Sequence, residues 1–159
     1  MDSDEARLLL SRAFGEDIGT AEVRRMCRLW GGMGDVLELR AGKRIAVAKR
    51  IRMPGDCSSI GDKRKKDSYE VEANFYEGGH AERLLALGCA LPQPFFVERK
   101  GDGELTILMA KLVGRSGGMS CDEMRSLLRW LATLHAAYWG DTRADAAVGA
   151  GLQPQGTYW

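Results

Sequence analysis

The chain has 159 residues, the size of one ordinary domain, and a domain of that length hides roughly 70% of its extended-chain surface. Hydrophobic residues make up 45% and charged residues 28%, which excludes an intrinsically disordered chain. Lys+Arg number 23 against 22 Asp+Glu, a net charge of +1, so a partner held by bulk charge, such as DNA or an anionic membrane, is not favoured.

No apolar run approaches the ~20 residues of a membrane span. The first ten residues, MDSDEARLLL, are acidic where a secretory signal is basic, so no signal peptide is expected. The four cysteines, Cys27, Cys57, Cys89 and Cys121, contain no C-x-x-C pair, and their flanks share no repeat. Reduced thiols and a cytoplasmic location are the expectation.

In chain order, residues 2–14 predict a short helix, capped by Asp2 or Ser3 and stopped by Gly15. Residues 23–29 predict a strand. A glycine turn follows at Trp30-Gly31-Gly32-Met33-Gly34, then an alternating strand over 35–40, a turn at 41–43, and a third strand over 45–51. The third strand's near-continuous apolar start predicts burial on both faces.

Residues 53–67 read as a polar loop with Pro54, Gly55 and the run Lys63-Arg64-Lys65-Lys66. Asp67 and Glu70, spaced as a capping box, start a helix near Ser68. Gly78-Gly79 interrupts it, and it resumes over 80–87 before Gly88. Residues 91–98 and 104–109 predict a hairpin turning at Gly101-Asp102-Gly103. Residues 114–118 read as a linker.

Ser120 and Glu123 form a capping box for a helix over 122–139. Met124, Leu127, Leu128, Leu131, Leu134, His135 and Tyr138 share one of its faces. Phe75, Tyr76, Trp130, Tyr138 and Trp139 are expected in the core. The Ala/Gly-rich tail ends in Tyr158 and Trp159, as though in mid-element.

Charge is uneven along the chain. Residues 40–66 hold ten basic residues against Asp56 and Asp62, a local +8, whereas the first twenty residues carry −3. A basic stretch in a neutral protein suits a small anionic ligand better than a polymer. The run 63–66 reads first as solvated loop, with phosphate contact or a nucleic-acid patch as alternatives.

The order of strand, glycine turn, strand, strand with a lysine, helix with a glutamate, hairpin, linker and helix predicts an α+β fold. It has the form of a protein-kinase-like small lobe: an antiparallel sheet of about five strands with a packed helix, then a hinge and the first helix of a large lobe. The boundaries are 1–20 for an N-terminal helical segment, 21–112 for the nucleotide-binding lobe, and 113–159 for the hinge and the start of a truncated large lobe. A lysine on a rigid strand can supply the cation that a nucleotide's α and β phosphates need, and a helix glutamate can hold it in place. Lys49, in Val47-Ala48-Lys49, is that lysine, and Glu72 is its partner, with Glu70 and Glu77 as rivals.

Ser68-Tyr69-Glu70-Val71-Glu72-Ala73-Asn74-Phe75-Tyr76 resembles the S-x-x-x-E-x-x-F-Y signature of the choline-kinase-like and ecdysteroid-kinase-like group of the aminoglycoside phosphotransferase superfamily. Residues 131–140, LATLHAAYWG, resemble its L-A-x-L-H-A-x-(aromatic)-W helix, and Arg28-Leu29-Trp30-Gly31-Gly32-Met33-Gly34 is loosely similar to its first turn. The resemblance covers about residues 20–159. It implies transfer of the γ-phosphate of ATP, with magnesium, to a hydroxyl of a small molecule. It implies that Lys49 contacts phosphate and Glu72 orients it. Gly31, Gly32 and Gly34 would let the backbone approach the nucleotide, and residues 109–114, with Met109 and Lys111, would form the hinge to adenine.

The family's His-Gly-Asp-type catalytic loop and its magnesium-binding acid are not found in this sequence, so catalytic and metal residues are assigned to none and an inactive lobe is expected. Two other readings stand beside it: a non-catalytic interaction module that self-associates through helix 122–139, and a small nucleic-acid-binding α+β domain using residues 40–66.

Overall fold

The computed structural model describes residues 1–53, 59–101, 103–114 and 117–154. Expectations that rest on Pro54, Gly55, Cys57, Asp102, Tyr158 and Trp159 lie outside the described residues. The architecture is α+β. Helix α1 (Ser3–Phe14) leads to strand β1 (Glu22–Arg28), a 3-10 turn at Trp30–Gly32, β2 (Gly34–Ala41) and β3 (Arg44–Arg52). Helices α2 (Ile60–Glu77) and α3 (His80–Ala86) precede β4 (Pro94–Lys100) and β5 (Glu104–Ala110). Helices α4 (Cys121–Ala137) and α5 (Asp141–Gly149) follow.

The five strands form one sheet in the order β1-β2-β3-β5-β4, and every neighbouring pair is antiparallel. Side-chain alternation along the strands divides the sheet's residues between two faces. One face, with Leu37, Leu39, Ala46, Ala48 and Leu108, packs against Ala6, Leu9 and Leu10 of α1. The other, with Ile51, Leu105, Ile107 and Met109, packs against Tyr69 and Ala73 of α2. A third cluster joins Leu84 of α3 to Ala137 of α4, with Phe75, Trp130, Leu134 and Tyr138 around it.

Helix α1 has the caps its sequence predicts. The Asp2 carboxylate accepts the Glu5 amide at 2.8 Å, and Gly15 closes the helix at φ 66°. On the sheet's α1 face, Arg50 is buried and donates to Glu104 at 2.5 Å and to Glu5 at 2.9 Å, so a single guanidinium ties α1, β3 and β5 together.

Several expectations are corrected. The polar stretch before Ser68 is helical from Ile60, because the Ser59 hydroxyl caps α2 by accepting the Asp62 amide at 3.0 Å. Lys and Arg are good helix formers, so charge alone does not mark a loop. Asp67 and Glu70 then lie inside the helix rather than at its start. Strand β4 begins at Pro94 rather than near residue 91. The third strand is not buried on both faces: Ala46 and Ala48 are buried, whereas Val47 and Lys49 are half-buried.

The tail holds α5, docked where Asn74 donates to the Gly151 carbonyl at 3.1 Å. Trp139 is 79% exposed rather than in the core, and Phe75, Tyr76, Trp130 and Tyr138 are only half-buried. On α4, Met124, Leu127 and Leu128 are exposed, so most of the predicted apolar face is uncovered at the helix's first half. Among the described residues no helix is long and apolar enough to cross a membrane, and Cys27, Cys89 and Cys121 are free thiols.

Candidate functional site

The site is built on the α2 face of the sheet. Lys49 lies in the middle of β3, next to its central residue Ala48, paired in register with Val36 on β2 and Ile107 on β5. Its ammonium donates to Glu72 Oε2 and stands 5.1 Å from the centre of the Tyr69 ring. Tyr69 and Glu72 are three residues apart on α2, a spacing that puts both on one side of the helix. Lys49 is mostly buried, with 19% of its side chain exposed, so the pair is only partly screened by water.

The rival carboxylates are engaged elsewhere. Glu70 and Glu77 both accept from the Arg99 guanidinium of β4, Glu70 at 3.3 Å. Helix rotation therefore gives Glu72 to β3 and the other two to the sheet's far edge.

The glycine turn closes the same end of the sheet. Gly34 pairs with Ile51, two residues along the strand from Lys49 and about 7 Å away. Gly31 and Gly32 hold φ 70° and 71°, and Gly34 φ 138°, all in the region that side chains disfavour. At Gly34 a Cβ would collide with the Arg50 carbonyl oxygen, so the turn needs glycine for close packing as well as for its dihedral. The Leu29 amide donates to the Gly34 carbonyl at 2.8 Å, and the Arg52 amide to the Met33 carbonyl at 2.8 Å.

The proposed hinge residues separate. Met109 is buried in the core beneath α2, where the Tyr76 hydroxyl approaches its sulfur at 4.0 Å. Burial first, then the Glu72 carboxylate, raises the Tyr76 hydroxyl above its usual pKa. Lys111 turns back to Glu38 of β2, which Arg24 also holds at 3.2 Å and Arg40 at 3.4 Å. The Lys111 hydrogen bond, then that of Arg24, pulls the Glu38 carboxyl down to about 2.

Half of the basic residues of the stretch 40–66 are paired within the fold. Arg40, Arg44, Lys49, Arg50 and Lys65 each pair with a carboxylate. Among the described residues no group of three His, Cys, Asp or Glu side chains is placed to hold a metal ion.

Sequence reasoning singled out neither Tyr69 beneath Lys49 nor Lys65 at the glycine turn as an individual site residue. Lys65, Tyr69, Glu72 and Tyr76 recur at helical spacing, and that signal becomes readable once α2 is started at residue 60. No family model matches the chain, nor does any curated protein or any solved structure.

Proposed function

We propose that the chain is the nucleotide-binding lobe of a protein-kinase-like phosphotransferase that acts on a hydroxyl of a small molecule. The observation that carries this reading is the Lys49–Glu72 pair, set on one sheet face beside a turn of three positive-φ glycines. A glutamate-held lysine next to backbone free of side chains is what binding a polyphosphate requires. The resemblance of residues 68–76 and 131–140 to the choline-kinase-like and ecdysteroid-kinase-like group supports it.

Lys49 contacts the α and β phosphates, Glu72 keeps Lys49 extended, and Gly31, Gly32 and Gly34 admit the phosphates to the backbone. Residues 109–114 run past the adenine, through backbone groups, since the Met109 side chain is committed to the core and Lys111 to Glu38. Binding rather than transfer is the activity these residues account for.

ATP is expected to raise the melting temperature of the chain, and Lys49→Ala to abolish the rise. A full shift in that variant sinks the assignment.

A second reading rests on α4. Its exposed Met124, Leu127 and Leu128 suit a non-catalytic interaction module that self-associates through this helix. The nucleic-acid reading loses support, since half of the basic residues of segment 40–66 are already paired to carboxylates within the chain.

A further inference from the structure

Lys65 lies on the Lys49 side of α2. Lys65 and Tyr69 are one helical turn apart, and Lys49 pairs with Glu72 and stands over the Tyr69 ring. Among the described residues, Asp62, Trp30 and Gly31 surround the Lys65 ammonium. It donates to Asp62 at 2.9 Å, stands 5.2 Å from the centre of the Trp30 indole, and lies so close to Gly31 that a Cβ built there would be 3.0 Å from it. Only 19% of the side chain is exposed. An ammonium held where a Cβ on Gly31 would meet it, on the same helix as the Glu72 that holds Lys49, adds a cation to the glycine turn. Single ion pairs that water reaches contribute little to stability, and the Asp62 side chain of this one is a third exposed.

We propose that Lys65 is a second phosphate-binding cation of this site, reached across the glycine turn from Lys49, with Asp62 and Trp30 holding it in position until a polyphosphate arrives. The inference rests on the nucleotide reading and extends it. Lys49 takes the phosphates nearer the nucleoside, and Lys65 takes the outer phosphates that follow the turn. Asp62 serves Lys65 as Glu72 serves Lys49, each a carboxylate of α2 that keeps an ammonium extended. The ligand class is therefore a nucleoside di- or triphosphate rather than a monophosphate.

The test uses the full chain, titrated calorimetrically at low salt with ATP and with inorganic tripolyphosphate, with folding followed by circular dichroism. Lys65→Met is expected to weaken both ligands about tenfold, the loss of one charge-assisted hydrogen bond, and Lys65→Arg to retain most of the affinity. Wild-type tripolyphosphate affinity in Lys65→Met, alongside its loss in Lys49→Met, overturns the role of Lys65 and leaves the nucleotide reading intact. Tripolyphosphate binding that depends on Lys65, with ATP bound no more tightly, upholds Lys65 and overturns the nucleotide reading. If the wild-type chain binds neither ligand, both fall.

A second measurement needs no variant. Bound tripolyphosphate is expected to slow acylation of Lys65 by an amine-reactive reagent at least fivefold, read by mass spectrometry, as a phosphate-paired ammonium is withheld from the reagent. Unchanged labelling overturns the proposal.

Discussion

His80 shows how one side chain couples its surroundings to pH. It is buried at the start of α3, stacked on Phe75 of α2, with Nδ1 2.9 Å from the hydroxyl of Tyr138, just past the end of α4, and Nε2 without a partner among the described residues. Burial first, then the Arg83 cation, pushes its pKa below the ordinary 6.5. The unfolded chain therefore takes up this proton at a higher pH than the folded chain does. Stability from His80 is full above about pH 6.5 and falls as pH drops below it. Urea midpoints are expected to fall between pH 7.5 and 5.5, and to fall less in His80→Gln. Equal losses in the two proteins would show that His80 does not set this dependence. The match of a strand lysine to a glutamate on the next helix is legible in the sequence, because strand and helix periods are local properties. What commits Glu70 and Glu77 elsewhere is not, since their partner Arg99 lies on β4, well beyond α2 in the chain.

Among the elements, α1 is the clearest case of a short segment with a structural duty. Its caps and its 3.6-residue pattern are written in the sequence, but the surface it covers is made by strands that come later. Ala6 and Leu10 are fully buried against Leu37, Leu39 and Ala48. Leu10→Ala is expected to cost about 3 kcal/mol, the usual cost of a cavity at a closed site. The change in urea midpoint measures it, and a change below about 1 kcal/mol would mean that α1 is loosely docked. Helix α2 gives the opposite lesson. Its second half carries an apolar pattern and is readable, whereas its first half is polar and depends on the Ser59 cap. That polar half brings Lys65 to the glycine turn, so the shortfall in the helix boundary and the missed residue have one cause.

At the scale of the whole molecule, the sheet is covered by α1 on one face and by α2 on the other, while the first half of α4 keeps much of its apolar surface exposed. Met119, Met124, Leu127 and Leu128 leave apolar side chains in water, Leu128 with 58% of its surface exposed. Concentration-dependent association is expected in sedimentation velocity, and Leu128→Glu is expected to suppress it without lowering the melting temperature. A chain that stays monomeric at high concentration would remove the interaction-module reading.

The sequence by itself determined the five strands, their turns, the first helix with its caps and the glycines of the turn before β2, because each is encoded in periodicity or in a residue's own backbone preference. The Lys49–Glu72 pair expected from the sequence is present, whereas only the tertiary structure decided what engages Glu70 and Glu77, where Lys65 points and which aromatic groups stay in water. Those outcomes depend on strand register and helix rotation between segments far apart in the chain, and no local pattern carries that information.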